Sequence, residues 1–306
     1  MKVFKSLSEV ENIGDTVIAL GNFDGLHKGH QELINRTVKS AKIANLKSAV
    51  FTFSNHPKNV MAGRPIIKNI LSWNDKVSII RSYGVDYLIS VPFDYEMQNM
   101  DPHDFIMNVL VDKLKMKEAY CGFNFKFGHF AKGNAELLMK VGLEKDFGIH
   151  ILEPIRIDNI VVSSSYIREL ISEGRIDECE KYLGRYYSIG GTVVTGNKIG
   201  RTIGFPTSNI IIDEGMVTPA NGVYVTYCTF NGVRFKSITN VGIKPTIGDN
   251  KYTIETHIFN FDYNIYGKEI KVEFLKKLRD ELKFSSLDEL RDQISKDKEM
   301  AMEYHV

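Results

Sequence analysis

GNFDGLHKGH, residues 21–30, packs three glycines and two histidines into ten positions. The apolar run TVIAL (16–20) stands directly before it, and Leu33, Ile34, Thr37, Val38 and Ala41 recur after it at steps of three and four. The stretch therefore reads as a strand passing through a glycine turn into a helix with one apolar face. Such a turn gathers unpaired backbone N–H groups and the positive end of a helix dipole at one point, which makes an anion site. Gly25 and Gly29 let backbone approach a phosphate closely. His27 and His30, three apart, fall on one side of the first helical turn, where imidazoles donate to phosphate oxygens without a fixed full charge. Two other readings stand beside this one. The histidines could be zinc ligands at i and i+3, although no third-ligand motif such as HExxH accompanies them, or surface residues of an ordinary helix start.

The alternation continues outward. SAVFTF (48–53), DYLISVPF (86–93), EAYCGF (118–123) and FGIHILEPI (147–155) read as strands, with helical patterns in MDPHDFIMNVLVDKL (100–114), where Asp101 suits a cap and Pro102 a first turn, and in NAELLMKVGLEKD (134–146). This order predicts a doubly wound parallel sheet with ligands at the carboxyl ends of its strands. From about Tyr186 the texture changes to period-two runs. GVYVTYCTF and VRFKSITNV flank Asn231-Gly232, a pair suited to a tight hairpin, and KYTIETHIFNF and GKEIKVEFL extend the pattern, pointing to an antiparallel barrel. Leu287, Leu290 and Ile294 of the final helical pattern are expected to pack onto that barrel. The fold class is thus α/β followed by β with a C-terminal helix, in domains 1–184 and 185–306.

The chain has 306 residues, long enough for two cores at 43% hydrophobic content. Its 39 basic and 38 acidic residues leave a net charge of +1, which implies no broad cationic face for nucleic acid. Cys121, Cys179 and Cys228 are isolated, which argues against disulfides or a zinc ribbon and for free thiols in a reducing cytosol. No leader-like segment opens the chain, and no uncharged stretch approaches the ~18 residues of a membrane span. A soluble cytoplasmic protein is expected.

The common lysine phosphate loop is missing: in GTVVTGNKIG (191–200) Asn197 displaces the lysine. HKGH (27–30) instead resembles the HxGH signature of nucleotidylyltransferases. With FTFSNHP (51–57), GFNFKFG (122–128) and SSSYIR (163–168), the first domain is similar to the FMN adenylyltransferase module of the bacterial bifunctional riboflavin kinase/FAD synthetase family. GRTIGFPTSNI (200–210) resembles that family's riboflavin kinase signature, with Ser208 in place of an alanine. The resemblance implies a Rossmann-like nucleotidylyltransferase domain, a kinase barrel, and two ATP-dependent steps from riboflavin to FMN and from FMN to FAD, with pyrophosphate released. It further implies ATP contacts from Gly21, Phe23, Asp24, Gly25, His27, Gly29 and His30, with Ser164, Ser165 and Arg168 at the departing phosphates. At the kinase, it implies ATP contacts from Gly196, Gly200 and Arg201 within a flap GNKIGR (196–201).

Thr207 and Asn209 point to one face of an extended strand and offer hard oxygen ligands, which fits the Mg²⁺ role that the resemblance assigns them. In YTIETHIF the alternation sets Glu255 and His257 opposite Ile254, Thr256 and Ile258, and the resemblance, through KPTIG (244–248) and the segment after it, makes Glu255 the general base. Asn124, His56 and Arg279 are the implied flavin-side residues; His56-Pro57 also reads as a structural turn, and Phe123, Phe125 and Phe127 read as core on one face. Two rival functions remain at this level. The barrel could be a flavin-binding regulatory module, or the transferase could use another phosphate acceptor, such as a phosphopantetheine-like one. Oligomeric state is not legible.

Overall fold

The computed structural model describes residues 1–196, 199–246 and 249–304. Its elements open with β1 (Lys2–Phe4), β2 (Thr16–Leu20), α1 (Lys28–Ile43), β3 (Lys47–Phe53), α2 (Pro57–Ala62), α3 (Trp73–Ser82), β4 (Tyr87–Val91), α4 (Tyr95–Asn99) and α5 (Pro102–Asp104). A π-helical stretch, Phe105–Lys113, follows; then come β5 (Met116–Gly122), β6 (Lys126–Phe127), β7 (Gly133–Asn134), α6 (Ala135–Lys145), β8 (Gly148–Leu152), β9 (Arg156–Ile157) and β10 (Ile160–Val161). Six strands form one parallel sheet in the order β1-β4-β3-β2-β5-β8. All five residues of β2 are buried, as expected for a strand covered on both faces. The chain leaves β2 toward β3 and β4, then returns to the other side of β2 as β5. That reversal puts a crevice at the carboxyl ends of β2 and β5, where open α/β sheets bind ligands.

Alternate sheet residues Ile18, Leu20, Phe51, Ile89 and Cys121 share one core cluster with Phe105 and Val109 of the π-helical stretch and Leu138 of α6. α1 packs across β2, β3 and β5, burying the five residues at helical spacing, Leu33, Ile34, Thr37, Val38 and Ala41. Each large aliphatic side chain buried in this way contributes about 1.5–3 kcal/mol. Asp101 caps α5 through the His103 N–H (2.8 Å), but the helix read beyond it is π rather than α, ending with Leu114 N–H on the Val109 carbonyl. Strand β1 had no sequence signal: three residues are too few for a period.

The remaining elements are α7 (Ser164–Glu173), α8 (Ile176–Leu183), β11 (Tyr187–Val194), α9 (Ile199–Thr202), β12 (Ser208–Ile211), β13 (Gly222–Phe230), β14 (Val233–Thr246), β15 (Asp249–Ile258), β16 (Glu269–Arg279) and α10 (Leu287–Tyr304). The strands close an antiparallel barrel in the order β11-β12-β15-β14-β13-β16, with β11 paired to β16, so among the described residues no barrel strand lacks a neighbour on either side. Asn231 (φ 47°) and Gly232 (φ 79°) join Phe230 to Val233, both in the left-handed region that this two-residue turn requires. Ile254, Thr256 and Ile258 are buried. The barrel also encloses a row of hydroxyls: Ser237 to Thr226 (2.8 Å), Thr226 to Thr239 (2.8 Å) and Thr239 to Thr256 (2.9 Å), with Ser237 Oγ donating to the Thr226 carbonyl (3.1 Å). Each buried hydroxyl is thereby satisfied.

α10 corrects one expectation. Leu287 is 56% exposed; the helix seats Ile294 against the barrel cluster and buries Asp297 and Ala301 instead. Contacts group the chain into two units, Met1–Asn69 with Trp73–Ser163, and Ile70–Ser72 with the chain from Ser164 onward, so that α7 and α8 go with the barrel. Ile254→Ala is expected to remove about 3 kcal/mol of stability, seen as a lower urea midpoint.

Candidate functional site

The glycine–histidine turn is built against conformational cost. Phe23 (φ 48°), Gly25 (φ 77°) and Leu26 (φ 42°) all sit in the left-handed region, which for the two non-glycines costs on the order of 1 kcal/mol each. Burial offsets it: Phe23 and Leu26 are wholly buried, and Gln31 Nε2 donates to the Leu26 carbonyl (2.7 Å). Gly21 N–H donates to the Phe51 carbonyl (3.3 Å) as the β2–β3 ladder ends. His27 is the N-cap of α1; its Nδ1 accepts from His30 N–H (3.3 Å), and the two imidazoles stack at 3.7 Å and 15°. Gly29 lies under them, where a Cβ would come within 3.2 Å of the His27 ring. Phe23 meets the His30 ring edge-on at 5.2 Å. His30 Nδ1 is buried without a hydrogen-bond partner. Burial, then the neighbouring His27 and Lys76, hold the His30 imidazole well below its ordinary pKa, so it is neutral at pH 7.

Gly21, Phe23, Asp24, Gly25, His27, Gly29 and His30 thus come together in one turn, and Asp24 is buried within it. Lys76 of α3, which the sequence reading passed over, reaches the same place. Its Nζ donates to the Asn22 carbonyl (2.7 Å) and to Thr52 Oγ1 (3.0 Å). Its only sequence signal was a lysine on a modest amphipathic helix.

Asn124 is exposed in the turn after β5, at the crevice end of the sheet. His56 caps α2, its Nδ1 accepting from Lys58 N–H (3.2 Å). Phe125 and Phe127 stack at 5.5 Å in the core, but Phe123 is 50% exposed, because the chain turns at Gly122 and breaks the period. Ser164, Ser165 and Arg168 lie in the first two turns of α7, in the second unit.

In the barrel, the ladder places Asn209 opposite Glu255 and Asn240 on its other side, so the three share a face. His257 Nδ1 bonds the Pro206 carbonyl (2.9 Å), fixing the residue before Thr207, and Asn209 Nδ2 donates to Thr207 Oγ1 (3.5 Å). A cavity of about 300 Å³ is lined by Phe205, Thr207, Asn240, Glu255, His257 and Arg279 among others. A second, of about 100 Å³, is lined by Arg201, Tyr263, Asn264 and Tyr266, and Thr207 borders both. Gly196 has no room for a Cβ, which would stand 2.7 Å from the Asn209 amide, and Gly200 accepts the Phe205 N–H on its carbonyl (2.7 Å). Arg279 borders the larger cavity, but its guanidinium grips buried Asp297 at 2.7–3.1 Å, and Gln293 donates to the same carboxylate (2.9 Å). Asn197 and Lys198 of the flap, and the side chains of KPTIG, lie outside the described residues.

A glycine–histidine turn at the switch point of a parallel sheet, joined to a barrel with a carboxylate in its cavity, defines a two-domain enzyme of phosphate-group transfer. Family models agree: FAD synthetase matches residues 9–166 and riboflavin kinase residues 183–305. The bifunctional riboflavin kinase/FMN adenylyltransferase of Bacillus subtilis is 35% identical, over 96% of this chain and 94% of its own. That of Escherichia coli K12 is 32% identical over 94% and 92%. The chain belongs to the family of bifunctional riboflavin kinase/FMN adenylyltransferases. A solved chain from Streptococcus pneumoniae, described as a macrolide-efflux protein, is 31% identical with a TM-score of 0.89 over 98% of both chains. Transport is that protein's description; here, among the described residues, no helix is long and apolar enough to cross a membrane.

Asp297→Ala, which strands the Arg279 charge, is expected to cost about 3–5 kcal/mol, measured by denaturant unfolding. The His30 imidazole should show no NMR titration midpoint near the ordinary histidine value, since burial favours its neutral form; a midpoint there would contradict the burial described.

Proposed function

We infer that the chain phosphorylates riboflavin to FMN at 185–306 and adenylylates FMN to FAD at 1–184, using ATP in both steps. The observation that carries this reading is the presence, in one chain, of a glycine–histidine turn at a helix start and a barrel cavity bordered by Glu255 and Thr207, with Asn209 paired opposite Glu255.

In the kinase step, Glu255 accepts the proton of the flavin 5'-hydroxyl as its oxygen attacks the γ-phosphorus of ATP, and ADP leaves. The larger cavity suits the flavin, with Phe205 in its wall, and the smaller suits the nucleotide, with Arg201 beside Tyr263 and Tyr266. Thr207, common to both, brings donor and acceptor side by side. Thr207 and Asn209 are hard oxygen donors backed by Gly196, a set that fits Mg²⁺, which when bound offsets charge on the phosphates. Arg279 acts at the flavin side by holding the cavity rim through Asp297.

In the adenylyl step, an FMN phosphate oxygen attacks the α-phosphorus of ATP and pyrophosphate departs. Little covalent chemistry is asked of the protein, so placement and charge dominate. His27, His30 and the N–H groups at the start of α1 hold the ATP phosphates; Ser164, Ser165 and Arg168 serve the departing pyrophosphate, the arginine through its planar fork. Asn124 and His56, beyond β5 and β3, serve the flavin. The partners are small molecules, the near-neutral charge favours no nucleic acid, and the use of ATP assigns the work to the cytoplasm.

Incubation with riboflavin and ATP-Mg²⁺ tests the reading: FMN and then FAD are expected, whereas a regulatory barrel would yield no FMN. With FMN formation assayed from riboflavin and FAD formation assayed separately from supplied FMN, His30→Ala should lower FAD formation by about 10²–10⁴-fold and spare FMN formation, and Glu255→Gln should do the reverse. Product analysis by chromatography checks both, and loss of both activities in either folded variant would refute the assignment to separate sites.

A further inference from the structure

We propose that Lys76 is a positioning residue of adenylyl transfer: its ammonium binds the Asn22 carbonyl and Thr52 Oγ1 together and so holds the phosphate turn in its left-handed course. The inference rests on the adenylyltransferase reading above.

Three hydrogen bonds converge beneath the turn. Thr52 Oγ1 donates to the Asn22 carbonyl (3.0 Å), and Lys76 Nζ donates to that carbonyl (2.7 Å) and to Thr52 Oγ1 (3.0 Å). The β2–β3 ladder has ended one residue earlier, at Gly21 N–H on the Phe51 carbonyl, and Phe23 follows with positive φ. Asn22 is therefore the last residue that the sheet can anchor before the strained part of the turn. A helix lysine normally carries its charge out to water, and burying an ammonium is costly unless it is well bonded. A lysine that only filled space here would be replaced at a gain by an apolar residue.

The charge has neighbours that suit a phosphate site. Burial pushes the Lys76 amine down to about 8, with Asp24 of the turn acting the other way, so the amine is still charged at pH 7. From α1, His30 faces it, and the Lys76 charge helps keep that imidazole neutral, with His27 stacked behind. β3 offers the neutral Thr52 hydroxyl. Above pH about 8 the ammonium loses its proton, and with it the charge that binds Asn22 and Thr52 most strongly.

The test uses the full chain with Lys76→Met and Lys76→Arg, measuring FAD formation from FMN and ATP, and FMN formation from riboflavin, across the alkaline range. Wild type should lose FAD formation as pH rises through about 8, with FMN formation free of that limb. Lys76→Met should lower FAD formation about 100-fold, abolish the limb and leave FMN formation unchanged. Lys76→Arg should restore most of the rate and carry the limb out of range, because guanidinium stays charged. Unchanged FAD formation in Lys76→Met, the same alkaline limb in that variant, or joint loss of both activities would overturn the inference. Wild type that forms no FAD would instead overturn the underlying reading.

Discussion

A strand that turns at once into a helix has an accounting problem: its last carbonyls have left the ladder and the first N–H groups of the helix have no partners yet. At the end of β2 the carbonyls are taken by protein, Asn22 by Thr52 and Lys76, and Leu26 by Gln31. The N–H groups are treated differently. The His27 ring takes that of His30 over a long 3.3 Å bond, and the His27 carbonyl takes that of Gln31 (2.9 Å). The carbonyls at this point are closed by the protein, and that constraint fixes the course of the turn at the positive end of the α1 dipole. Phe23, Leu26 and the stacked imidazoles follow from it, since each is needed to keep a costly backbone in register.

The barrel reaches a related end by other means. Closure gives each barrel strand among the described residues a neighbour on either side, so backbone groups are spent on the ladder and the chemistry must come from side chains. Pairing register then decides which of them meet. Asn209, Glu255 and Asn240 lie abreast because β15 runs between β12 and β14, and a slip of one residue would turn Glu255 inward and Thr256 outward. The inward side is held against such a slip by Ile254, Ile258 and the hydroxyl of Thr256.

Legibility in the sequence divided along the range of the interactions. α1, the Asn231-Gly232 turn and the facing of Glu255 rest on periods and local backbone preference, which a chain displays directly. Phe123 failed because a turn at Gly122 interrupts a period that continues in the letters alone. Leu287 was misread because α10 rests on a charged residue: Asp297 is buried by Arg279, 18 positions away, and no apolar pattern announces such a pair. Lys76 meets partners 54 and 24 residues distant, and a lone lysine carries no sign of its destination.

The hydroxyl row inside the barrel has a direction. A hydroxyl owns one proton, and that of Ser237 is committed to the Thr226 carbonyl. Thr226 must then give its proton to Ser237, Thr239 to Thr226, and Thr256 to Thr239. The interior therefore carries an oriented dipole spanning three strands, with its lone-pair end at Thr256, next in the chain to Glu255. Reversing any one member would require reversing them all, so the barrel is wired as a single polar unit.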